Sequence, residues 1–412
     1  PCQSAETHLA RLIGKGFKVA ICEQVSDPKK SNGLVDREVV RVVTPGTVIE
    51  DSILDSKTNN FLAALLIEGN NAGFAYVDIS TCEFATTEST LSHIGMEISR
   101  ITPSELLLSN EDTGGLSIGQ GIMITKLTSE AFHHELAIDR LKRHLGVKSL
   151  EPYGCDKQPL AARAAGAVLD YLRKTNKVSL GQINSLQTYS TSSYMVLDPQ
   201  TRRNLELFEG GRWSDSGGSL FSVLDKTHTP MGSRLLRKFL GQPLIDLERL
   251  VRRQDAVSWF HASMSRRSRV TVLLKFISDI ERLINRIQTH VATPRDLIAL
   301  RMSLESAPKI RGVLEEDNNS DLFTWLTSKI MNNDDVVQLI KKAIIDEPAL
   351  SVGQGLVIRR EFSHDLDALR SSARSAQDYI ASLEKRERKR TGIKSLKVGY
   401  SKVFGYYIAV SK

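Results

Sequence analysis

Hydrophobic and polar positions change their period several times along the chain. Between residues 4 and 16, Leu9, Leu12 and Ile13 recur at helical spacing with Arg11 and Lys15 between them, and glycine ends the pattern. Residues 17–25 and 37–43 alternate as strands around a charged turn at 27–33, and the second closes on Thr44-Pro45-Gly46. This predicts the end of a small α/β domain. A polar linker, 51–60, leads to three successive strand patterns at 61–67, 73–79 and 82–87, joined by a Gly/Asn-rich turn at 68–72 and by Ser80-Thr81. A helix at 90–100, the turn Thr102-Pro103-Ser104 and a short strand at 105–108 come next, and an Ala-rich helix at 160–176 closes the region. Strands followed by alternating helix and strand predict a mixed sheet with helices on its faces.

From about residue 200 the strand signals stop. Helices are predicted at 201–208, 230–240, 247–261, 272–289, 294–313 and 334–345, with Thr229-Pro230 and Thr293-Pro294 each supplying a cap residue and a proline at the first helical position. The last helix carries Phe362, Leu366, Leu369, Ala373, Ala376, Ile380 and Leu383 at alternating spacings of four and three, which is a heptad seam. Taken from residue 357 to 390 it would run roughly 50 Å at 1.5 Å per residue, a strut rather than an ordinary globular helix. Past Leu383 the seam turns charged. Leu396, Val398 and Tyr400, then Phe404, Tyr406, Ile408 and Val410, alternate as a strand pair would.

Composition narrows the class. A length of 412 residues exceeds what one core usually supports, so two or three domains are expected, and 41% hydrophobic with 25% charged residues is ordinary globular usage. The longest apolar run, 61–67, is far short of the roughly 20 residues that span a bilayer, and a cytoplasmic location is expected. Cys2, Cys22, Cys82 and Cys155 are scattered without a C-x-x-C pair, so neither a disulfide framework nor a zinc site is suggested. The chain opens on Pro1 and stops within a strand-like pattern, which reads as a piece of something longer.

The net charge of +7 matters for where it sits. Residues 384–412 hold nine basic residues against Glu384 and Glu387, so this segment carries the whole excess and the rest balances. A basic segment at the far end of a long helix is what a phosphate-binding tip requires, because local potential attracts a polyanion. Lys394, Lys397 and Lys402, alternating with apolar strand residues, are the candidate phosphate contacts.

Several blocks in order resemble the MutS mismatch-repair family. They are His8-Leu9-Ala10-Arg11-Leu12, Val19-Ala20-Ile21-Cys22-Glu23-Gln24 and Arg41-Val42-Val43-Thr44-Pro45-Gly46-Thr47. Asp198 with Thr201-Arg202-Arg203-Asn204-Leu205-Glu206, Thr229-Pro230-Met231-Gly232-Ser233-Arg234, and Leu396-Lys397-Val398-Gly399-Tyr400 with Gly405-Tyr406-Tyr407-Ile408 continue the series. The resemblance implies a multidomain chain: the C-terminal part of a mismatch-binding α/β domain (1–48), an RNase H-like α/β connector (49–176), an all-α core and lever (177–383), and the start of a clamp with a short β tip (384–412). It implies DNA mismatch recognition and repair initiation, with this segment holding the DNA backbone and coupling it through the lever to an ATPase outside the chain. The alternative is a MutS-related nucleic-acid-binding or recombination scaffold that does not read mismatches.

The family's aromatic-x-Glu mismatch-reading motif would lie upstream of Pro1, and no G-x-x-x-x-G-K-[ST] phosphate loop is present; Gly114-Gly115 and Gly217-Gly218 do not match it. No enzyme activity and no cofactor are therefore expected of this chain, with ATP and Mg2+ implied for the full-length family. Double-stranded DNA, a MutL-like partner docking on the connector, and homodimerisation of the full-length protein are implied as partners, with no membrane. The resemblance also marks Arg37 as a DNA-backbone position, with Lys29 and Lys30 as neighbours in the preceding turn. An RNase H-like sheet raises a nuclease possibility carried only by Asp78 and Glu83, which read better as turn and surface acids. His133, His134, His144 and His228 show no metal-ligand spacing. Arg202, Arg203 and Arg234 follow helix starts and are expected to form buried or interdomain ion pairs with acids such as Glu206 and Asp225.

Overall fold

A computed structural model describes residues 5–24, 36–109, 119, 121–175, 180–210, 218–316, 320–401 and 405–410. The chain divides into two units, 1–334 and 335–412. In the first unit, α1 (Ala5–Ile13) packs Leu9 and Ile13 against Val43 and Val48 beside an antiparallel ribbon of β1 (Val19–Gln24) and β2 (Arg37–Val43). The predicted helix and both strands are present here, and the charged turn at 27–33 lies outside the described residues.

The three strand patterns become β3 (Phe61–Glu68), β4 (Asn71–Asp78) and β5 (Glu83–Thr90), antiparallel neighbours. Next come α2 (Leu91–Ile101), β6 (Glu105–Ser109), β7 (Met123–Leu127), α3 (His134–Leu145), α4 (Pro159–Thr175) and the two-residue β8 (Gln187–Thr188). The sheet order is β7-β6-β3-β4-β5-β8, with β6 and β7 added in parallel to β3 and β8 in parallel to β5. Residues 61–67 read as an unbroken apolar run because both faces are covered. Leu62, Ala64 and Leu66 join the cluster under α3 and α4, while Ala63 and Leu65 join the one under α2. A Cβ at Gly73 would overlap the Leu160 backbone, so glycine is what lets the start of α4 lie against β4. Glu88 then accepts hydrogen bonds from the Leu160 and Ala161 amides there, satisfying donors that the helix leaves open.

A buried acid joins the first ribbon to this sheet. Glu105 is fully buried; its carboxylate accepts hydrogen bonds from the hydroxyls of Thr44, Thr125 (2.6 Å) and Tyr171 (2.7 Å) and from the Gly46 amide (3.3 Å), with Lys18 Nζ 3.6 Å away. Gly46 has to be glycine, since a Cβ would stand 2.9 Å from that of Glu105 and 3.0 Å from that of Leu62.

The helical region holds α5 (Pro199–Asn204), α6 (Leu220–Leu224), α7 (Pro230–Gly241), α8 (Leu247–His261), α9 (Met264–Leu274), α10 (Ile280–Gln288), α11 (Pro294–Glu315) and α12 (Ser320–Thr327). One helix was expected at 272–289, but two are found. Asp279 caps the start of α10 by accepting from the Arg282 amide, which ends the pattern that apolar residues on either side would carry through. Trp259, Leu314 and Phe323 form the small core there, the two rings edge-to-face at 4.7 Å.

The second unit contains α13 (Asp334–Ala343), a bridge between Ile344 and Ile358, the long α14 (His364–Thr391), and the hairpin of β9 (Lys397–Ser401) and β10 (Gly405–Ala409). The long helix starts later than its seam suggested. Ser363 caps it, Glu361 has a φ of 69°, and Phe362 lies before the cap. Asp365 and Asp367 occupy the first turn and Arg388, Lys389 and Arg390 the last, which suits the helix dipole at both ends, and Gly392 terminates it at a φ of 72°. Along the seam, Phe362, Leu369, Ala373 and Ala376 are exposed and Leu366, Ile380 and Leu383 half-buried, so among the described residues of this unit the seam is nowhere fully buried.

Candidate nucleic-acid interface

The far end of α14 and the hairpin are locked together by a small polar network. Arg388 pairs with Glu384 (2.7 Å) and donates to the Leu396 carbonyl (2.6 Å), while Glu384 accepts from the Val398 amide (3.1 Å). Leu396 is buried at that junction. The hairpin pairs Tyr406 with Tyr400 and Tyr407 with Gly399. Rings 400 and 406 meet at 5.0 Å, and the Tyr407 ring lies where a Cβ of residue 399 would stand, 2.8 Å away. Glycine at 399 is thus a seat for an aromatic cross-strand neighbour.

Charge is arranged asymmetrically around this junction. Glu384 and Arg388 are spent on the hairpin, and Glu387 on Arg390 (2.7 Å). That leaves Lys385, Arg386, Lys389, Lys394 and Lys397 exposed with no acidic partner among the described residues. On a helix of 3.6 residues per turn, 385, 386 and 389 share one side, roughly opposite the side of 384 and 388 that faces the hairpin. Two expected lysines, 394 and 397, are therefore joined by three helix cations that the strand-based reading did not single out. Their signal was available in the +7 segment; only the helix phase was needed to collect them. Lys402 lies outside the described residues.

At the other candidate position, Arg37 stands exposed on β2, paired in register with Gln24 at the open end of the ribbon, with no acidic partner among the described residues. Lys29 and Lys30 lie outside the described residues. Arg41, two pleats further along, is different: it pairs with Glu50 (2.8 Å) and donates to the Thr47 carbonyl (3.0 Å), which holds the turn that Glu105 anchors.

The acids considered for metal chemistry are occupied. Asp78 and Glu83 do face one another in register, but Asp78 is fully buried and accepts from Ser80 N (2.8 Å), Ser80 Oγ (2.7 Å), Asn59 Nδ2 (2.8 Å) and Asn60 N (3.2 Å). Glu83 pairs with Lys238 (2.6 Å). Among the described residues no group of three or more His, Cys, Asp or Glu is placed to hold a metal ion. No helix among them is long and apolar enough to cross a membrane.

Arginines of the helical region form a junction that spacing alone did not reveal. Arg234 is buried and donates to Asp279 (2.6 and 2.9 Å), to Glu281 (2.6 Å) and to the Ser56 carbonyl (2.9 Å). The expectation of a buried ion pair is met with different acids and within the helical region, because α10 brings Asp279 to α7 whereas Asp225 turns to Lys57 (2.8 Å) and Ser233 (2.9 Å). Burial works against the charge on Arg234, yet its bonds to Asp279 and Glu281 outweigh it and hold its pKa above the ordinary value. Arg282 donates to the carbonyls of Asp55 (3.1 Å) and Thr58 (2.9 Å), and Arg286 bridges Asp51 and Asp296. The polar linker 51–60 is thereby gripped from α7 and α10. Its backbone carbonyls have no ladder of their own, and Arg234 and Arg282 are donors that supply the deficit, while Arg286 holds the Asp51 carboxylate. Arg203 is exposed, and the buried Arg202 Nε has no hydrogen-bond partner among the described residues.

Comparison with known proteins gives three successive family matches along the chain. Residues 1–52 match the family model of MutS domain I, residues 60–184 that of MutS domain II, and residues 200–397 that of MutS domain III. The chain is 42% identical over 414 residues to a DNA mismatch repair protein MutS of Dehalococcoides mccartyi (strain CBDB1), with all of this chain and 48% of that protein aligned. It is 43% identical to the protein of that name from Symbiobacterium thermophilum, covering 48% of it, and 42% identical to one from Methanothrix thermoacetophila, covering 47%. The chain spans about half the length of the curated relatives it matches.

Proposed function

The chain belongs to the MutS family, and on that premise we propose that it serves DNA mismatch recognition and repair initiation by holding the DNA backbone and relaying its occupancy through α14. The observation that carries this reading is the tip: five unpartnered cations and exposed tyrosines at the end of one continuous helix. Phosphate contacts need charge and reach rather than exact base geometry, and an unpaired basic side supplies both. In the complete protein, an ATPase with ATP and Mg2+ shifts the helix between two arrangements that DNA at the tip biases reciprocally. The mixed sheet of 61–127, with its antiparallel trio and parallel additions, serves as an RNase H-like connector on which a MutL-like partner docks. The protein works as a cytoplasmic, nucleoid-associated homodimer. The match of residues 1–52 to MutS domain I supports repair over a recombination scaffold.

The test is a salt titration of duplex binding, followed by fluorescence anisotropy, in the complete protein and in its Lys394→Ala/Lys397→Ala variant. The expected result is weaker binding with the slope of log affinity against log salt reduced by roughly two, while the fold is unchanged. An unaltered affinity and slope would remove the tip from the DNA contact.

A further inference from the structure

A cavity of about 170 Å3 opens between α2 and the segment that leads into the helical region, lined in part by Arg100, Thr191, Ser192, Tyr194, Arg202 and Gln242. Its two arginines are not equivalent. Arg100 makes a bidentate bond to Glu97 (Nε 3.0 Å, Nη2 2.5 Å), and the Gln242 side-chain oxygen, with the amide turned to face it, accepts from its Nη1 and Nη2 at 3.1 Å. Glu97 also accepts from the Tyr189 hydroxyl (2.7 Å), so its lone pairs are committed. Arg202 faces the same cavity, and its Nε is closed off from solvent and has no partner among the described residues. Asp198, the acid on its own short helix, is spent on the amide (2.7 Å) and hydroxyl (3.0 Å) of Thr201. Burial, and next the like charge of Arg100, push Arg202 down to about 10, outweighing the opposing pull of the Glu97 and Asp198 charges.

We propose that this cavity is a binding site for a small oxyanion, a phosphate or carboxylate group, taken by the Arg202 fork beside the hydroxyls of Thr191, Ser192 and Tyr194. A planar guanidinium matches such a group through two parallel N–H donors, and hydroxyls can supply the remaining bonds. Occupancy would tie residues 191–202 to α2, so the anion would fasten the sheet domain to the start of the helical region.

The experiment is isothermal titration of the whole chain, at constant ionic strength in chloride, with inorganic phosphate in one arm and acetate in the other. Saturable binding of either anion, with a dissociation constant on the order of millimolar, is expected. Arg202→Gln should weaken it at least tenfold, Arg202→Lys less because charge without the fork remains, and Arg203→Gln, on the exposed side of the same helix, should leave it unchanged. Circular dichroism of each variant checks the fold. Absence of saturable binding of both anions, or binding retained in Arg202→Gln at the level of the parent chain, overturns the proposal; the latter result would assign the anion to another basic surface.

Discussion

Replacing Glu105 tests how strongly the first ribbon is held to the sheet. The carboxylate lies at zero exposure and receives three hydroxyl bonds and one amide bond from three different segments. Glu105→Gln keeps the shape but presents an amine on one side. Hydroxyls of Thr125 and Tyr171 can turn to accept from it, whereas the Gly46 amide cannot, so the amide oxygen must stay toward Gly46 and Thr44. Bonds to a charged acceptor are worth about 1.5–3 kcal/mol and neutral ones about 1. Converting the set therefore predicts a loss of roughly 1–3 kcal/mol. Glu105→Ala removes every acceptor and adds a cavity, and a loss of roughly 3–5 kcal/mol is expected, the range for stranding buried partners. Lys18, about one-third exposed, adds little to either figure. The assay is urea unfolding of the whole chain, read by circular dichroism, with limited proteolysis of the first ribbon alongside. A loss below about 1 kcal/mol for the alanine variant, or a glutamine variant worse than the alanine one, refutes the reasoning.

Further predictions follow from the other sites. Arg234→Ala should cost roughly 3–5 kcal/mol by stranding Asp279 and freeing Ser56, with Arg234→Lys intermediate, and should expose the 51–60 linker to protease; uncut linker in the alanine variant counts against the junction. Leu369 is 68% exposed and Leu396 only 4%, so Leu369→Asp should change stability by less than about 0.5 kcal/mol while Leu396→Asp detaches the hairpin; hydrogen exchange across β9 and β10 reads both. Burial lowers the pKa of His144, the Ile183 carbonyl opposing it. Its folded state thus binds fewer protons than its unfolded state, and the stability it contributes is present above about 6.5 and lost as pH falls below that value. Thermal midpoints between pH 7.5 and 5 should fall less steeply in His144→Gln, and parallel curves would dismiss the effect.

Local rules carried the reading furthest where they acted alone. The antiparallel trio β3–β5 was legible because turn residues and apolar runs agree, and α7 and α8 because Thr229-Pro230 and Asp246 cap them. Elsewhere tertiary partners decided. β7 mixes exposed and buried positions, and α3 buries only Ala137 and Leu141 among charged neighbours, so neither stands out by period. The break at 275–279 turned on a single capping aspartate. At the interface, total charge pointed to the tip, but which cations remain free depends on Glu384 and Glu387 being used up locally. The acids of Arg234 lie 45 and 47 residues away on another helix, a distance at which spacing says nothing.

The length of α14 sets a tolerance as well as a reach. Its 28 residues extend about 42 Å at 1.5 Å each, so one degree of tilt at the Ser363 end carries the basic tip through roughly 0.7 Å. A charge-assisted hydrogen bond spans only about 2.7–2.9 Å between heavy atoms and weakens steeply outside that window. On the function proposed above, two or three degrees would separate a gripping tip from a released one. A rod with its cap, acidic first turn and basic last turn all favouring one unbroken helix would then convert rotations smaller than the scatter of ordinary helix packing into the making or breaking of ionic contacts.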